Sequence, residues 1–251
     1  MRRTLLTALT FAALITACGG DKPAVITPAT NTPAAASTVT AAATAASSPA
    51  ATCAQAAKKS DASLFKLVDK QRSLPADLAP SDLVAIPDRL AVPGFAGQRM
   101  RKEPADALVK LLDAADAQGI QLRARSTYRS YSEQITTFQY WVNQLGEAQA
   151  RRESAEPGHS EHQMGTVADV VSKSINWELI TPFGDTTEGK WLVAHASEYG
   201  FAISYPKDGE ATTGYIYEPW HIRYLGTTCS KAWADSGLVL VKFLEAVAAA
   251  S

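Results

Sequence analysis

Ser160-Glu161-His162-Gln163-Met164-Gly165-Thr166-Val167-Ala168-Asp169-Val170-Val171 is the stretch to read first, together with Glu218-Pro219-Trp220-His221-Ile222-Arg223-Tyr224. Val167–Val171 is a short apolar run with one carboxylate, Asp169, inside it. Burying a carboxylate is costly unless it is paired or sits on a metal. A salt bridge from Arg125 or Arg129 would serve, and so would a cation. In the second segment, strand alternation puts Trp220, Ile222 and Tyr224 on one side and His221 and Arg223 on the other. The chain has 4 histidines, His159, His162, His195 and His221, and two of them lie in these segments. Two imidazoles and one carboxylate suit Zn²⁺ and leave a coordination position open. Glu218, three residues before His221, is placed to act as a proton acceptor. Each piece alone is weak, because a lone histidine is more often a structural hydrogen-bonder. Together the pieces read as a zinc hydrolase.

Working outward, a first helix is expected within Ala54–Lys70. Leu74–Pro93 carries four prolines and should be extended and irregular. Pro104 suits the first turn of a helix running to Gln118, with Leu108, Leu111, Leu112 and Ala115 as its apolar stripe and Gly119 beyond its end. Ile120–Ser126 alternates like a strand. Ser130 and Glu133 have capping-box spacing and would start a helix through Phe138, Trp141, Val142 and Leu145. Glu188–Tyr199 reads as a helix closed by Gly200, Phe201–Tyr205 and Tyr215–Tyr224 as strands, and the segment from Lys231 onward as helix. Helices and strands do not alternate strictly. The pattern predicts an α+β fold, a small antiparallel sheet flanked by helices, with the metal in a cleft over the sheet.

The first residues read differently. Met1-Arg2-Arg3 is basic, and Leu5–Ala17 is a short apolar run, too short for a membrane span and suited to a secretory signal over 1–17. Small residues just before Cys18 resemble the bacterial lipoprotein cleavage box, with Cys18 as the lipidated residue. Gly19 in place of Asp leans towards the outer membrane. Residues 18–52, from the lipidated cysteine through an Ala/Thr/Pro/Ser-rich stretch, read as a disordered tether. Residues 53–251 are one domain's worth of chain. The expected location is the periplasm, as a membrane-anchored lipoprotein. With Cys18 lipidated, Cys53 and Cys229 form an even pair and a disulfide is expected outside the cytoplasm. Net charge is −1 and no Lys/Arg cluster occurs, so nucleic acid is not an expected partner.

At this point a resemblance becomes specific. Ser160-x-His162-x-x-Gly165 through Asp169, followed by Glu218-x-Trp220-His221, resembles the zinc D,D- and L,D-carboxypeptidases of the VanY type. These trim the terminal D-alanine from peptidoglycan stem peptides. The likeness extends through Val68-Asp69-Lys70, Leu74-Pro75, Asp82-Leu83-Val84, Ser126-Thr127-Tyr128-Arg129-Ser130-Tyr131-x-x-Gln134 and Trp191-Leu192…His195…Tyr199-Gly200-Phe201. Val167 departs from the small residue usual two positions before the aspartate. The Gly165–Asp169 spacing is kept, so a packing adjustment is expected. The resemblance implies one Zn²⁺ per chain on His162, Asp169 and His221. It implies Glu218 as general base and later as proton donor to the leaving amine. Arg129 matches the oxyanion stabiliser and substrate clamp, and Ser160 and Gln134 match positions that hold the terminal D-alanine carboxylate. His159 stands next to the motif as a supporting or a loop histidine, and His195 reads as structural. The expected partners are stem peptides and, through the lipid, a membrane; a monomer is expected. A non-catalytic wall-binding lipoprotein and a dipeptidase or endopeptidase on the same scaffold are the competing readings.

Overall fold

Residues 47–251 are described by a computed structural model of the chain. The signal segment 1–17, the lipidation site Cys18 and the tether up to residue 46 lie outside the described residues. Helix α1 spans Pro49–Ala57, with Pro49 in its first turn and Ser48 capping the Ala51 amide at 3.2 Å. Among the described residues regular structure thus starts at Pro49, ahead of the boundary expected at Cys53. The helix expected within Ala54–Lys70 stops at Ala57, and Asp61 caps a separate 3-10 turn, Ala62–Phe65. The proline-rich stretch holds only the short strand β1 (Leu83–Ala85) and a 3-10 turn at Asp88–Leu90. β1 pairs antiparallel with β2 (Arg99–Arg101).

Helix α2 (Lys102–Ala117) carries Pro104 in its first turn, and Gly119 takes φ 75° just past the Gln118 cap. Its Leu108, Leu111, Leu112 and Ala115 are fully buried. Strand β3 (Leu122–Ser126) leads to α3 (Tyr131–Leu145), whose capping box at Ser130 and Glu133 is complete. α4 (Glu147–Glu153), β4 (Val167–Ser172) and α5 (Thr187–His195) follow. α5 runs into a 3-10 turn, Ala196–Tyr199, before β5 (Phe201–Ile203). Gly200 between them has φ 93°, and a Cβ there would lie 2.5 Å from the Tyr224 ring, so only glycine fits. α6 (Glu210–Thr213) precedes β6 (His221–Tyr224). The strand expected over Tyr215–Tyr224 is confined to its last four residues, because Gly214 turns at φ 76° and Pro219 has no amide to donate. The C-terminal helical segment is two helices, α7 (Thr227–Ser236) and α8 (Leu240–Ala249), parted at Gly237 with φ 65°.

The main sheet has the order β3-β4-β6-β5, antiparallel throughout. Phe201 and Ile203 of β5 join the core beneath α2 and α5, whereas Ala202 joins a second cluster with α1, α7 and α8. Alternation therefore gives the sheet two covered faces. Ala168, Val170, Ile222 and Tyr224 point into the first core. Asp169, His221 and Arg223 consequently share the other face, and there the cleft opens. Cys53 of α1 and Cys229 of α7 are disulfide-bonded in the second cluster.

Candidate active site

The register of β4 against β6 sets Asp169 directly beside His221. His162 arrives from a 3-10 turn, Glu161–Met164, that ends at Gly165 in the left-handed region (φ 69°) and feeds straight into β4. A Cβ on Gly165 would sit 3.0 Å from both Arg101 Cγ and Leu83 Cδ2, so the turn has neither conformational nor steric room for another residue. One donor atom from each of His162, Asp169 and His221 lies within 4.8 Å of the others, and all three side chains are buried. His162 Nε2 is 3.3 Å from Asp169 Oδ2, and His221 Nδ1 is 3.2 Å from Asp169 Oδ1. Val167, the departure noted above, is fully buried at the start of β4 and does not disturb this register.

The far ring nitrogens fix which atoms face the centre. His162 Nδ1 donates to the Thr127 carbonyl at 2.6 Å, which leaves Nε2 as a lone pair. His221 Nε2 donates to Glu161 Oε2 at 3.0 Å, which leaves Nδ1 as the atom for a metal. Without one, burial lowers the ring, but the Asp169 and Glu161 carboxylates overcome it and raise the ring to about 10. Asp169 Oδ1 is buried and accepts no hydrogen bond among the described residues. A buried carboxylate whose Oδ2 faces His162 Nε2 and whose Oδ1 faces His221 Nδ1 is a site for a cation, and a two-nitrogen, one-oxygen set suits zinc. Neither Arg125 nor Arg129 makes a salt bridge with Asp169, so the paired-carboxylate alternative does not apply among the described residues.

Without a metal, burial works against ionised Asp169, but charge and polar contacts from His162 and His221 outweigh it and hold its carboxyl well below the usual range. Burial also lowers His162, favouring the neutral imidazole a metal needs. Glu218 Oε2 lies 3.6 Å from His221 Nδ1. Burial, reinforced by Asp169 and Glu161 and opposed by His221 and Arg129, pushes its carboxyl up to about 8. A carboxyl tuned near neutrality can both accept and return a proton. Arg129 is held by Gln134, whose Oε1 accepts from Nη1 at 3.0 Å while Nε2 donates to the Ala155 carbonyl at 2.6 Å. Gln134 thus orients the guanidinium with both ends of its amide. Ser160 is buried and lines the same cleft of about 660 Å³, as do Arg129, Gln134, His162, Asp169, Glu218, Trp220 and His221.

Sequence reasoning overlooked Glu161. It is buried, receiving His221 Nε2, Ser204 Oγ (2.6 Å) and Arg223 Nη1 (2.7 Å). Burial would raise its carboxyl, but Arg223 and His221 hold it down at about 2. The available signal was Arg223, the charged residue that alternation placed on the His221 side of its strand. His159 is not part of the cleft; its Nδ1 meets the Asp69 carbonyl at 2.7 Å. His195 packs on Trp191 with ring centroids 4.6 Å apart, in keeping with a structural role.

Residues 97–227 match the family model described as VanY: D-alanyl-D-alanine carboxypeptidase. The chain belongs to the VanY family. The putative carboxypeptidase YodJ of Bacillus subtilis is 44% identical over 187 residues, which is 74% of this chain and 68% of that one. Among solved VanY-like structures, the LdcB LD-carboxypeptidase superposes with a TM-score of 0.66 at 44% identity, covering 72% of this chain and 86% of the other. A variant of the vancomycin-resistance D,D-pentapeptidase VanY, solved in complex with Zn(II), gives a TM-score of 0.62 at 27% identity over 72% and 99% of the two chains.

Proposed function

We propose that this VanY-family enzyme is a zinc carboxypeptidase that removes the C-terminal D-alanine from peptidoglycan stem peptides. The observation that carries this reading is the convergence of His162 Nε2, Asp169 and His221 Nδ1 beside Glu218 in one cleft. His162, Asp169 and His221 would hold Zn²⁺, which when bound supplies Lewis acidity for a carbonyl and for an attacking water. Glu218 takes the proton of that water and returns it to the departing amine nitrogen. Arg129, fixed by Gln134, offers its guanidinium to the substrate oxygen on which negative charge develops. Ser160 Oγ makes no hydrogen bond among the described residues and lines the cleft, where it is free to meet the terminal carboxylate. The retained Glu218 favours turnover over mere wall binding, since recognition needs no proton acceptor there.

Basic Arg2 and Arg3, the apolar Leu5–Ala17 and Cys18 support secretion and lipidation, hence a periplasmic enzyme tethered to a membrane, with the outer membrane favoured by Gly19. A monomer suffices, because every site residue comes from one chain. The test is mass spectrometry of stem pentapeptide and tetrapeptide incubated with the zinc-loaded full chain. Loss of one alanine from the pentapeptide shows D,D activity, and from the tetrapeptide L,D activity. Persistence of both masses with zinc bound overturns the reading. Labelled-lipid incorporation that survives Cys18→Ala overturns the anchor.

A further inference from the structure

Between Ala124 and Ser126 the β3–β4 register slips: Ala124 faces Val170, yet Ser126 faces Asp169. Arg125 is the extra residue of this bulge. Bulges beside active sites re-aim a side chain, and Arg125 lines the cleft that holds the metal ligands and Glu218. Its guanidinium carbon lies 3.3 Å from the centre of the Phe95 ring. Phe95 is itself held in place: its amide donates to the Val92 carbonyl at 2.8 Å, and the Val92 amide donates to the Ala124 carbonyl at 2.9 Å. Stacking engages one face of a guanidinium and leaves its edge donors free. Among the described residues those donors make no hydrogen bond and no salt bridge. Arg129, by contrast, spends donors on Gln134 and Ser126.

We infer that Arg125, stacked on Phe95, is a specificity subsite for a second carboxylate of the substrate peptide. A planar guanidinium with unspent edge donors in a half-buried cleft matches a carboxylate in shape and charge. The alanine that leaves carries only one carboxylate, its own terminus. The second must therefore belong to a dicarboxylic residue on the acyl side of the scissile bond. This rests on the carboxypeptidase reading and narrows it to peptides with a free acidic group upstream.

The experiment uses the zinc-loaded full chain and two trimmed product peptides, identical except that one upstream side chain is a free carboxylate or its carboxamide. Neither peptide is consumed, so calorimetry reads affinity without turnover. The acid should bind on the order of 10-fold more tightly, as a charge-assisted bond of this kind provides. Arg125→Gln should bring the two within about 2-fold by weakening the acid alone, and Arg125→Lys should restore part of the preference. Equal affinities in the wild type overturn the inference without any variant, as does a preference that survives Arg125→Gln. Alanine release from the parent peptides is measured separately. Its absence would overturn the carboxypeptidase reading, while the affinities would still decide the role of Arg125.

Discussion

Glu161 offers a stringent test of how this site is built. Arg223 is 1% exposed, and Glu161 is its only carboxylate partner among the described residues. Its Nη2 reaches the Leu64 and Lys66 carbonyls at 3.1 and 2.7 Å, while Nε has no partner among the described residues. Glu161→Ala strands a buried guanidinium, which costs about 3–5 kcal/mol. For a domain of this size that lowers Tm by roughly 6–20 °C. Glu161→Gln keeps the shape and the Arg223 contact and costs less. However, Arg223 and His221 both donate to Glu161, and an amide can accept at only one end. Its NH₂ end must face one of those donors, and if it faces His221 the ring proton is driven to Nδ1, the atom that faces the metal. Zinc affinity should then fall about 10–100-fold, out of proportion to stability. Because the folded carboxyl sits at about 2 against an ordinary 4.5, its contribution is complete above about 4.5 and fades as pH falls towards 2. Melts at pH 7 with chelator present read the stability effect, and competition with a fluorescent chelator reads the affinity. Wild-type zinc affinity in Glu161→Gln, with Glu161→Ala melting within about 2 °C of wild type, would refute the reasoning.

Glu218→Gln should keep zinc and lose about 10²–10⁴-fold in turnover; near-normal rates would remove Glu218 as the base. Its raised carboxyl, at about 8, makes ionisation costly in the folded state as pH climbs from 4.5, so metal-free Glu218→Gln should melt above wild type at pH 8 and level with it at pH 4. Equal melts at both pH values would count against that burial cost. His221→Ala should abolish stoichiometric zinc in the purified protein, and full retention by metal analysis would exclude His221 as a ligand. The Cys53–Cys229 disulfide closes a separation of 176 residues. Replacing both cysteines by serine should cost up to roughly 5 kcal/mol by chain entropy while leaving zinc affinity unchanged. A melt indistinguishable from wild type would refute the first expectation, and weakened zinc binding the second.

What the sequence alone made legible has local signals. Asp169 in an apolar run, two histidines with a nearby glutamate, the Ser130–Glu133 cap and the Pro104–Gly119 helix bounds each depend on neighbours a few residues away. α+β followed from the same periodicities. The bounds misjudged from sequence also had local causes: the strand before His221 shrank because Gly214 and Pro219 override β-propensity, and the N-terminal helix began at Pro49 because Ser48 caps it there. Only the tertiary structure chose the donor atoms. Which imidazole nitrogen faces the metal is set by the Thr127 carbonyl and the Glu161 carboxylate at the opposite nitrogen. Glu161 in turn stays ionised because Arg223, 62 residues away in sequence, lies 2.7 Å from it. Burial makes such a contact decisive, and burial is a property of the folded chain that no residue carries by itself.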